Sequence, residues 1–289
     1  MGVENRMDSF KKYLQREGKS ENTIKGYVQS VSGFLTWFDQ SKGVQFKKLH
    51  HENVREYISF LKTIKRSKPK TINTKLNALV KFNEFLVESN IQDEMVLTKK
   101  DYVKVQQQFA SLAKIKLSDV EKFRQLVLDS ENKRNYALVT LLAYAGLRIS
   151  EALNLKVNDF NVTSREILVR NGKGSKSRTV FMNDKVKAAL QSWLKEREKQ
   201  GIENEFVFVS NRNKRLDRTT VNKLFTDYSE KLEKEISPHD LRHFFCSHAI
   251  NKGMSVHEVA NQAGHSNIHT TLLYTNPSKD DIIHKMNQL

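Results

Sequence analysis

The chain has 289 residues, 38% of them hydrophobic, which suits two domains that each bury a core better than one. Its formal charge of +16 calls for a polyanionic partner, nucleic acid ahead of an anionic membrane surface, and there is no 18-residue apolar run or apolar leader, so a cytoplasmic protein without membrane attachment is expected. The single cysteine, Cys246, excludes a disulfide framework or a cysteine-spaced zinc site, and its apolar neighbours mark it as a buried thiol.

Residues 8 to 90 read as four amphipathic helices. Phe10, Tyr13 and Leu14 belong to the first. Ser20 or Asn22 can cap a second, whose Ile24, Val31, Phe34, Leu35 and Phe38 recur at helical spacing. A third carries Val54, Tyr57, Ile58 and Leu61; the fourth follows Pro69 with Ile72, Leu76, Leu79, Phe82, Phe85 and Leu86. Four helices with one apolar stripe each predict a bundle, and a first domain over residues 1–92. Between the third and fourth lies KTIKRSKPKTINTK, with Lys65, Arg66, Lys68, Lys70 and Lys75 and no acidic residue. A solvated loop is one account of it. In a chain of this charge, a basic connection between helices is also placed to straddle phosphates, contacts that position a protein without reading sequence.

Periodicity fades after Ile91, and residues 93–115 read as a linker to a second domain, 116–289. There Ser118 is a suitable cap for a helix with Val120, Phe123 and Val127, and Tyr136 to Tyr144 is a nearly all-apolar helix, too short to span a membrane and so central to a core. Gly146 can end it and Ser150 with Glu151 can start the next, which leaves Arg148 in the turn between them. The period then changes to that of strands: Ile167–Val169 and Thr179–Met182 flank NGKGSKSR, whose Asn-Gly start is hairpin chemistry and whose tip carries Lys173, Lys176 and Arg178. An edge hairpin blunted by lysines fits the same residues. A surface helix around Leu190, a short strand at Phe206–Val209 and the basic loop RNKRLDR, with Arg215, follow.

The segment from Pro238 to Thr275 concentrates chemistry. Ser237 as cap, proline in the first turn and Asp240 three residues after the cap begin a helix whose His239, Arg242 and His243 share one face. Such a helix start, with unpaired N–H groups and the positive dipole end, suits an anion. Ser255 and Glu258 form a second capping box, Gly264 closes that helix, and His265 lies nine residues before Tyr274. The stretch VHEVANQAGHSNIHTTLLY is also similar to a helix-turn-helix, which describes a DNA-binding regulator without catalysis.

Taken together, GLRISE around Arg148, GKGSKSR around Lys173, HDLRH with His239 and Arg242, AGHS at His265 and LLYT at Tyr274 resemble the tyrosine recombinases, the lambda-integrase or Xer-like family. All six signature positions stand in family order. KSENTIKGYVQSVSGFL and KTINTKLNALVKFNEFLV resemble the family's core-binding, SAM-like domain, so the likeness covers nearly the whole chain. Within the family the chain looks closest to small Xer or transposon-encoded recombinases, cointegrate resolvases among them. The polar NQ before AGHS and the absence of Asn-Pro at the end of the first domain depart from the pattern and blur the subfamily.

The resemblance implies a mainly α fold with a small antiparallel β-sheet, a helical core-binding domain and a C-terminal catalytic domain. It implies cleavage and rejoining of DNA through a 3′-phosphotyrosyl bond on Tyr274 and a Holliday junction, for integration, excision or resolution. Arg148 and Arg242 are then a phosphate clamp, His265 a further donor to the phosphate, His239 the general base and Lys173 the general acid for the departing 5′ oxygen. The clamp has a physical basis: a phenol with a pKa near 10 lies about three units, on the order of 4 kcal/mol, from ionisation at pH 7, and two arginines can hold charge that builds on phosphate oxygens. No cofactor or metal is implied. Expected partners are a double-stranded recombination site, a homotetramer on two such sites and candidate accessory DNA-binding proteins. Residues 278–289 read as a short helix for docking to a neighbouring protomer or to their own domain, and Lys65, Arg66, Lys68, Lys70, Lys75, Lys176, Arg178 and Arg215 are candidate DNA contacts. An inactive DNA-binding protein of the same fold is the alternative.

Overall fold

Apolar side chains spaced three and four residues apart fold the first part of the chain into α1 (Val3–Arg16), α2 (Glu21–Lys42), α3 (His51–Thr63) and α4 (Pro69–Glu88). The structure is a computed structural model that describes residues 3–105, 115–170, 177–265 and 267–274, together with 283, 286 and 287. Contacts divide the chain into two units, Met1–Gln107 and Gln108–Leu289.

In the first unit the stripes meet in an aromatic core. Phe10, Phe34 and Phe82 are fully buried, Phe10 and Phe82 edge to face at 5.2 Å and Phe34 and Tyr57 likewise at 5.2 Å. Ser20 caps α2 as expected, its hydroxyl accepting from the Thr23 N–H. The stretch expected to be a linker differs from that expectation up to Val105. Asn83, wholly buried in α4, accepts from the N–H groups of Val96 at 2.8 Å and Leu97 at 3.2 Å; Asn73 exchanges bonds of 2.8 and 2.9 Å with Val103; Leu97 lies in the core. Side-chain amides, together with one 3-10 turn at Lys99–Asp101, hold this stretch to the first unit, so no periodicity announces it.

The second unit is built around α6 (Lys133–Ala145), with Leu138, Val139, Leu141 and Leu142 fully buried. It packs against α5 (Leu117–Asp129), α8 (Asp184–Lys199) and α10 (Pro238–Asn251), which explains why it is apolar all round. The remaining helices are α7 (Ile149–Leu153), α9 (Arg218–Leu232), α11 (Val256–Ala263) and α12 (His269–Leu272). Strands β1 (Phe160–Asn161), β2 (Glu166–Val169) and β3 (Arg178–Phe181) form one antiparallel sheet in that order, with Ile167 opposite Val180 and both turned into the core. The mainly α fold with a small sheet therefore stands.

Two local expectations do not. Lys116, not Ser118, precedes the first turn of α5, because the Asp119 carboxylate accepts from the Lys116 N–H at 2.7 Å. Phe206–Val209 makes only single bridges, Lys156 with Phe206 and Val209 with Arg215. The reason lies on another element: the Arg197 guanidinium and the Trp193 indole N–H, both from α8, bind the carbonyls of Phe206 and Val207, which a neighbouring strand would have used. Among the described residues, no helix is long and apolar enough to cross a membrane.

Asn83→Ala removes the acceptor for two N–H groups. It is expected to cost about 1–3 kcal/mol per group left buried and to raise amide exchange at Val96 and Leu97 before the rest of the unit opens; unchanged exchange there means that Asn83 does not hold the segment.

Candidate active site

The site is assembled from the ends of helices. Gly146 ends α6 in the left-handed region at φ +69°, and a Cβ there would come within 2.3 Å of the Phe245 ring of α10, so a side chain is excluded twice over. This turn makes Arg148 itself the residue before α7. The Glu151 carboxylate accepts from the Arg148 N–H at 2.8 Å and from its guanidinium at 2.8 Å, while another guanidinium nitrogen donates to the Gly264 carbonyl at 2.7 Å.

Arg242 rises from the second turn of α10. That helix begins as expected, Ser237 accepting from the Asp240 N–H and Asp240 accepting from the Ser237 N–H, with Pro238 in the first turn. Arg242 is 5% exposed and donates to the Gly146 carbonyl, its one hydrogen bond to another described residue. Burial, and then the Arg148 guanidinium, pull its pKa down to about 10.

His265 follows Gly264, the left-handed residue that closes α11. One ring nitrogen, Nδ1, lies 2.7 Å from the hydroxyl of Thr271, a fully buried residue of α12. Burial, then Arg242 and Arg148, push its pKa down to about 4, so the ring is neutral at pH 7 and carries one N–H. Just past α12, the Tyr274 ring packs against a small cluster containing Phe245, Cys246, Val259 and Ala263. Its hydroxyl is hydrogen-bonded to Nδ1 of His243. Nε2 of His243 in turn lies 2.7 Å from Nε2 of His239, whose ring reaches the surface. Burial, then Cys246, raise the Tyr274 phenol, with Arg242 opposing, while burial first lowers both histidines. Burial also pushes the Cys246 thiol up to about 11, so it remains protonated, as a packing residue would.

Arg148, Arg242, His265 and Tyr274 thus converge, although they come from the ends of four separate helices, α7, α10, α11 and α12. A cleft of about 1330 Å³, lined by residues such as Arg124, Lys133, Arg134 and Trp193, includes none of them. No group of three or more histidine, cysteine or acidic residues is placed to hold a metal among the described residues.

Residues 113–281 match the model of the phage integrase family. The chain belongs to that family, the tyrosine recombinases. Residues 7–93 match the family's N-terminal SAM-like domain. The recombinase is 49% identical to the TnP I resolvase of Bacillus thuringiensis over 282 residues, 97% of this chain and 98% of that one. It is 29% identical to the tyrosine recombinase XerA of Pyrococcus horikoshii, covering 93% and 88%. Among solved structures it is similar to a XerA recombinase (TM-score 0.54, 25% identity, covering 99% and 98%). It is also similar to the Tn1549 transposon integrase in complex with a circular intermediate DNA (TM-score 0.73, 20% identity, covering 98% of each). At the level of the family its activity is the cleavage and rejoining of DNA strands in recombination.

In this recombinase several sequence expectations change. His239, expected as the base for Tyr274, stands one ring away from it, and His243 occupies the contact. The i, i+4 pair was visible in sequence, but which ring meets the tyrosine depends on where α12 delivers it. Arg178, expected to face DNA, is turned inward: its side chain is 16% exposed, donates two bonds to Glu151 at 3.0 and 2.9 Å, and reaches the carbonyls of Gln262 and Ala263. A Cβ on Gly264, at φ +69°, would lie 2.5 Å from its guanidinium carbon. Arg215 is exposed, bonded to the Asn154 side chain and stacked over Phe206 at 5.6 Å. In the first unit Lys65, Arg66, Lys68 and Lys70 are exposed and Lys75 half-buried; they flank the start of α4, whose first turn holds no acid, so side chains and helix dipole add in sign. Lys173, Lys176 and most of the 278–289 tail lie outside the described residues.

Burial alone would raise the Glu151 carboxyl, but its bonds from Arg178 and Arg148 hold it below its ordinary 4.5. The stability it contributes is fully present above that value and lost as pH falls from it through the lower value of the folded state. Arg178→Met, which leaves a carboxylate 5% exposed with one partner fewer, is expected to cost about 3–5 kcal/mol at pH 7. It should also make the loss of stability in acid shallower. Denaturant unfolding read at Trp193 in a Trp37→Phe background measures both, and an unchanged midpoint means that the pair does not hold the site.

Proposed function

We propose that the chain is a site-specific DNA recombinase whose nucleophile is Tyr274. The observation that carries this is the convergence of Tyr274 with Arg148, Arg242 and His265, the phenol already bonded to a histidine nitrogen. Two guanidinium groups close enough for one to depress the pKa of the other pay for that proximity unless an anion lies between them. A phosphodiester is such an anion, and arginine forks match its paired oxygens in a way a lysine cannot.

In the proposed reaction the Tyr274 oxygen attacks phosphorus, a P–O bond forms, and the bond to the 5′ oxygen breaks with its electron pair leaving on that oxygen. Lys173, which lies in sequence between β2 and β3, is assigned the proton for the leaving oxygen. Arg148 and Arg242 hold the charge that builds on the non-bridging oxygens, and the neutral His265 adds one N–H donor. The phenolic proton passes to the histidines of α10. The product is a 3′-phosphotyrosine and a free 5′ hydroxyl, and attack by a different 5′ hydroxyl reverses the steps to join a new strand. The phosphotyrosyl bond retains the energy of the one broken, so joining needs no ATP.

Two duplexes exchanged through a Holliday junction require four cleavages, and so four protomers, a homotetramer aided by accessory DNA-binding proteins. The 49% identity to the TnP I resolvase supports resolution as the outcome, and the proposed setting is cytoplasmic, nucleoid-associated DNA. Lys65, Arg66, Lys68, Lys70 and Lys75 are proposed to contact phosphates.

A nicked duplex selected for binding by the purified protein traps the covalent step, because the short strand diffuses away. Wild type is expected to form an SDS-resistant adduct that disappears in Tyr274→Phe, and Arg148→Ala is expected to cleave about 100-fold or more slowly. An adduct that survives in Tyr274→Phe places the nucleophile elsewhere. Replacing Lys65, Lys68 and Lys70 by alanine is expected to lower the slope of log K against log salt by about 0.9 per lost phosphate contact; an unchanged slope takes this loop off the DNA.

A further inference from the structure

We infer that His243 is a catalytic residue, the immediate acceptor of the Tyr274 proton, and that it works in series with His239, which exchanges the proton with solvent. The inference deepens the assignment of Tyr274 as nucleophile and rests on it.

The geometry comes first. The Tyr274 hydroxyl is bonded to Nδ1 of His243, with ring centroids 5.3 Å apart. Nε2 of His243 faces Nε2 of His239 at 2.7 Å, the rings at 80°. The two histidines are i and i+4 on α10, so one helix face presents them in line. Two imidazole nitrogens at hydrogen-bond distance require a hydrogen on one and none on the other. If the tyrosine donates to Nδ1, a neutral His243 carries its hydrogen on Nε2 and donates to a bare Nε2 of His239. The hydrogen of His239 then sits on Nδ1, on the ring that reaches the surface.

That arrangement balances as a relay. As the P–O bond forms, the phenolic proton moves to Nδ1 of His243, the Nε2 hydrogen of His243 moves to Nε2 of His239, and Nδ1 of His239 releases a proton to water. His243 ends neutral, with Nδ1–H directed at the tyrosine oxygen, which is the arrangement that stabilises a departing phenolate during joining. The reverse transfers return the proton when the tyrosine leaves.

The charged surroundings favour passing the proton on. An imidazolium at His243 would be half-buried beside His239 and Arg242 and near His265, with Asp240 in its favour among the described residues. At His239 the same charge is nearer water, again with Asp240 in its favour and with Arg242 and Arg218 of α9 against. Desolvation is the larger cost, and it is smaller at the exposed ring. Both rings are kept neutral near pH 7, so an acceptor is available, whereas burial keeps the phenol protonated until attack. A tyrosine in that condition needs its acceptor in contact, and His243 is the described residue that meets this requirement.

The experiment is single-turnover cleavage of the selected nicked duplex, with DNA affinity and thermal unfolding measured on each variant. His243→Ala is expected to cleave about 100-fold or more slowly with unchanged DNA affinity, to regain at least tenfold of that in added imidazole, and to lose the acid limb of the pH–rate profile. His243→Gln, which keeps the volume, is expected to be as slow. His239→Ala is expected to be slowed less than His243→Ala, because water can take the proton from His243. A duplex whose scissile 5′ oxygen is sulfur needs no protonation of the leaving group, so the His243→Ala deficit is expected to persist on it, which separates this role from that of a proton donor such as Lys173. Cleavage within threefold of wild type in both His243 variants overturns the inference while Tyr274 stands as nucleophile. So does a deficit that imidazole does not relieve and that leaves the pH profile unmoved, since it marks a merely structural histidine. If wild type forms no adduct dependent on Tyr274, the nucleophile assignment fails and the relay falls with it.

Discussion

One carboxylate ties the second unit together at its chemical end. Glu151, nearly inaccessible to water, accepts from the backbone and side chain of Arg148 and from two nitrogens of Arg178. Through those two arginines it reaches the carbonyls of Gln262, Ala263 and Gly264, the turn that delivers His265. The end of α6, the strand after the hairpin turn and the end of α11 are thus held to one anion. An unpaired carboxylate at that depth would be costly, so the three segments are fixed together or not at all. The placing of Arg148 beside Arg242 is a consequence of this frame.

The site is also a compromise between burial and charge. Packing Arg242 under the Gly146 turn lowers its pKa but aligns it with little freedom, and packing Tyr274 against Phe245 and Cys246 raises the phenol. The same desolvation that makes the nucleophile harder to ionise keeps the histidines beside it unprotonated. Resistance to premature ionisation and readiness to accept a proton therefore have one physical origin. Fixed cations that repel one another when empty and are relieved by an anion gain selectivity for the state in which charge develops.

Much of this was legible in the linear sequence because it depends on neighbours in the chain. The helices of both units other than α9, which was not expected from the sequence, the capping boxes at Ser237 and Ser255, the left-handed glycines at 146 and 264 and the pairing of β2 with β3 all follow from local periodicity and turn chemistry. Side chains that act across the fold were misjudged. Arg178 read as a basic tip residue because its acidic partner, Glu151, lies 27 positions earlier. Residues 93–105 read as a linker because their anchors, Asn83 and Asn73, are amides on another element. Phe206–Val209 read as a strand because nothing local reveals that Arg197 and Trp193 occupy its carbonyls.

The sequence by itself determined the family, the mainly helical fold with its small sheet, and which side-chain types take part, since these rest on composition, spacing and motifs within short windows. The tertiary structure alone decided which of two histidines on one helix face touches the tyrosine, and that a lysine-rich hairpin turns its last arginine inward. A helix fixes the angle between His239 and His243 but not the element that meets them. That partner is set by the path of the chain through Gly264 and α12, over distances that no local pattern encodes.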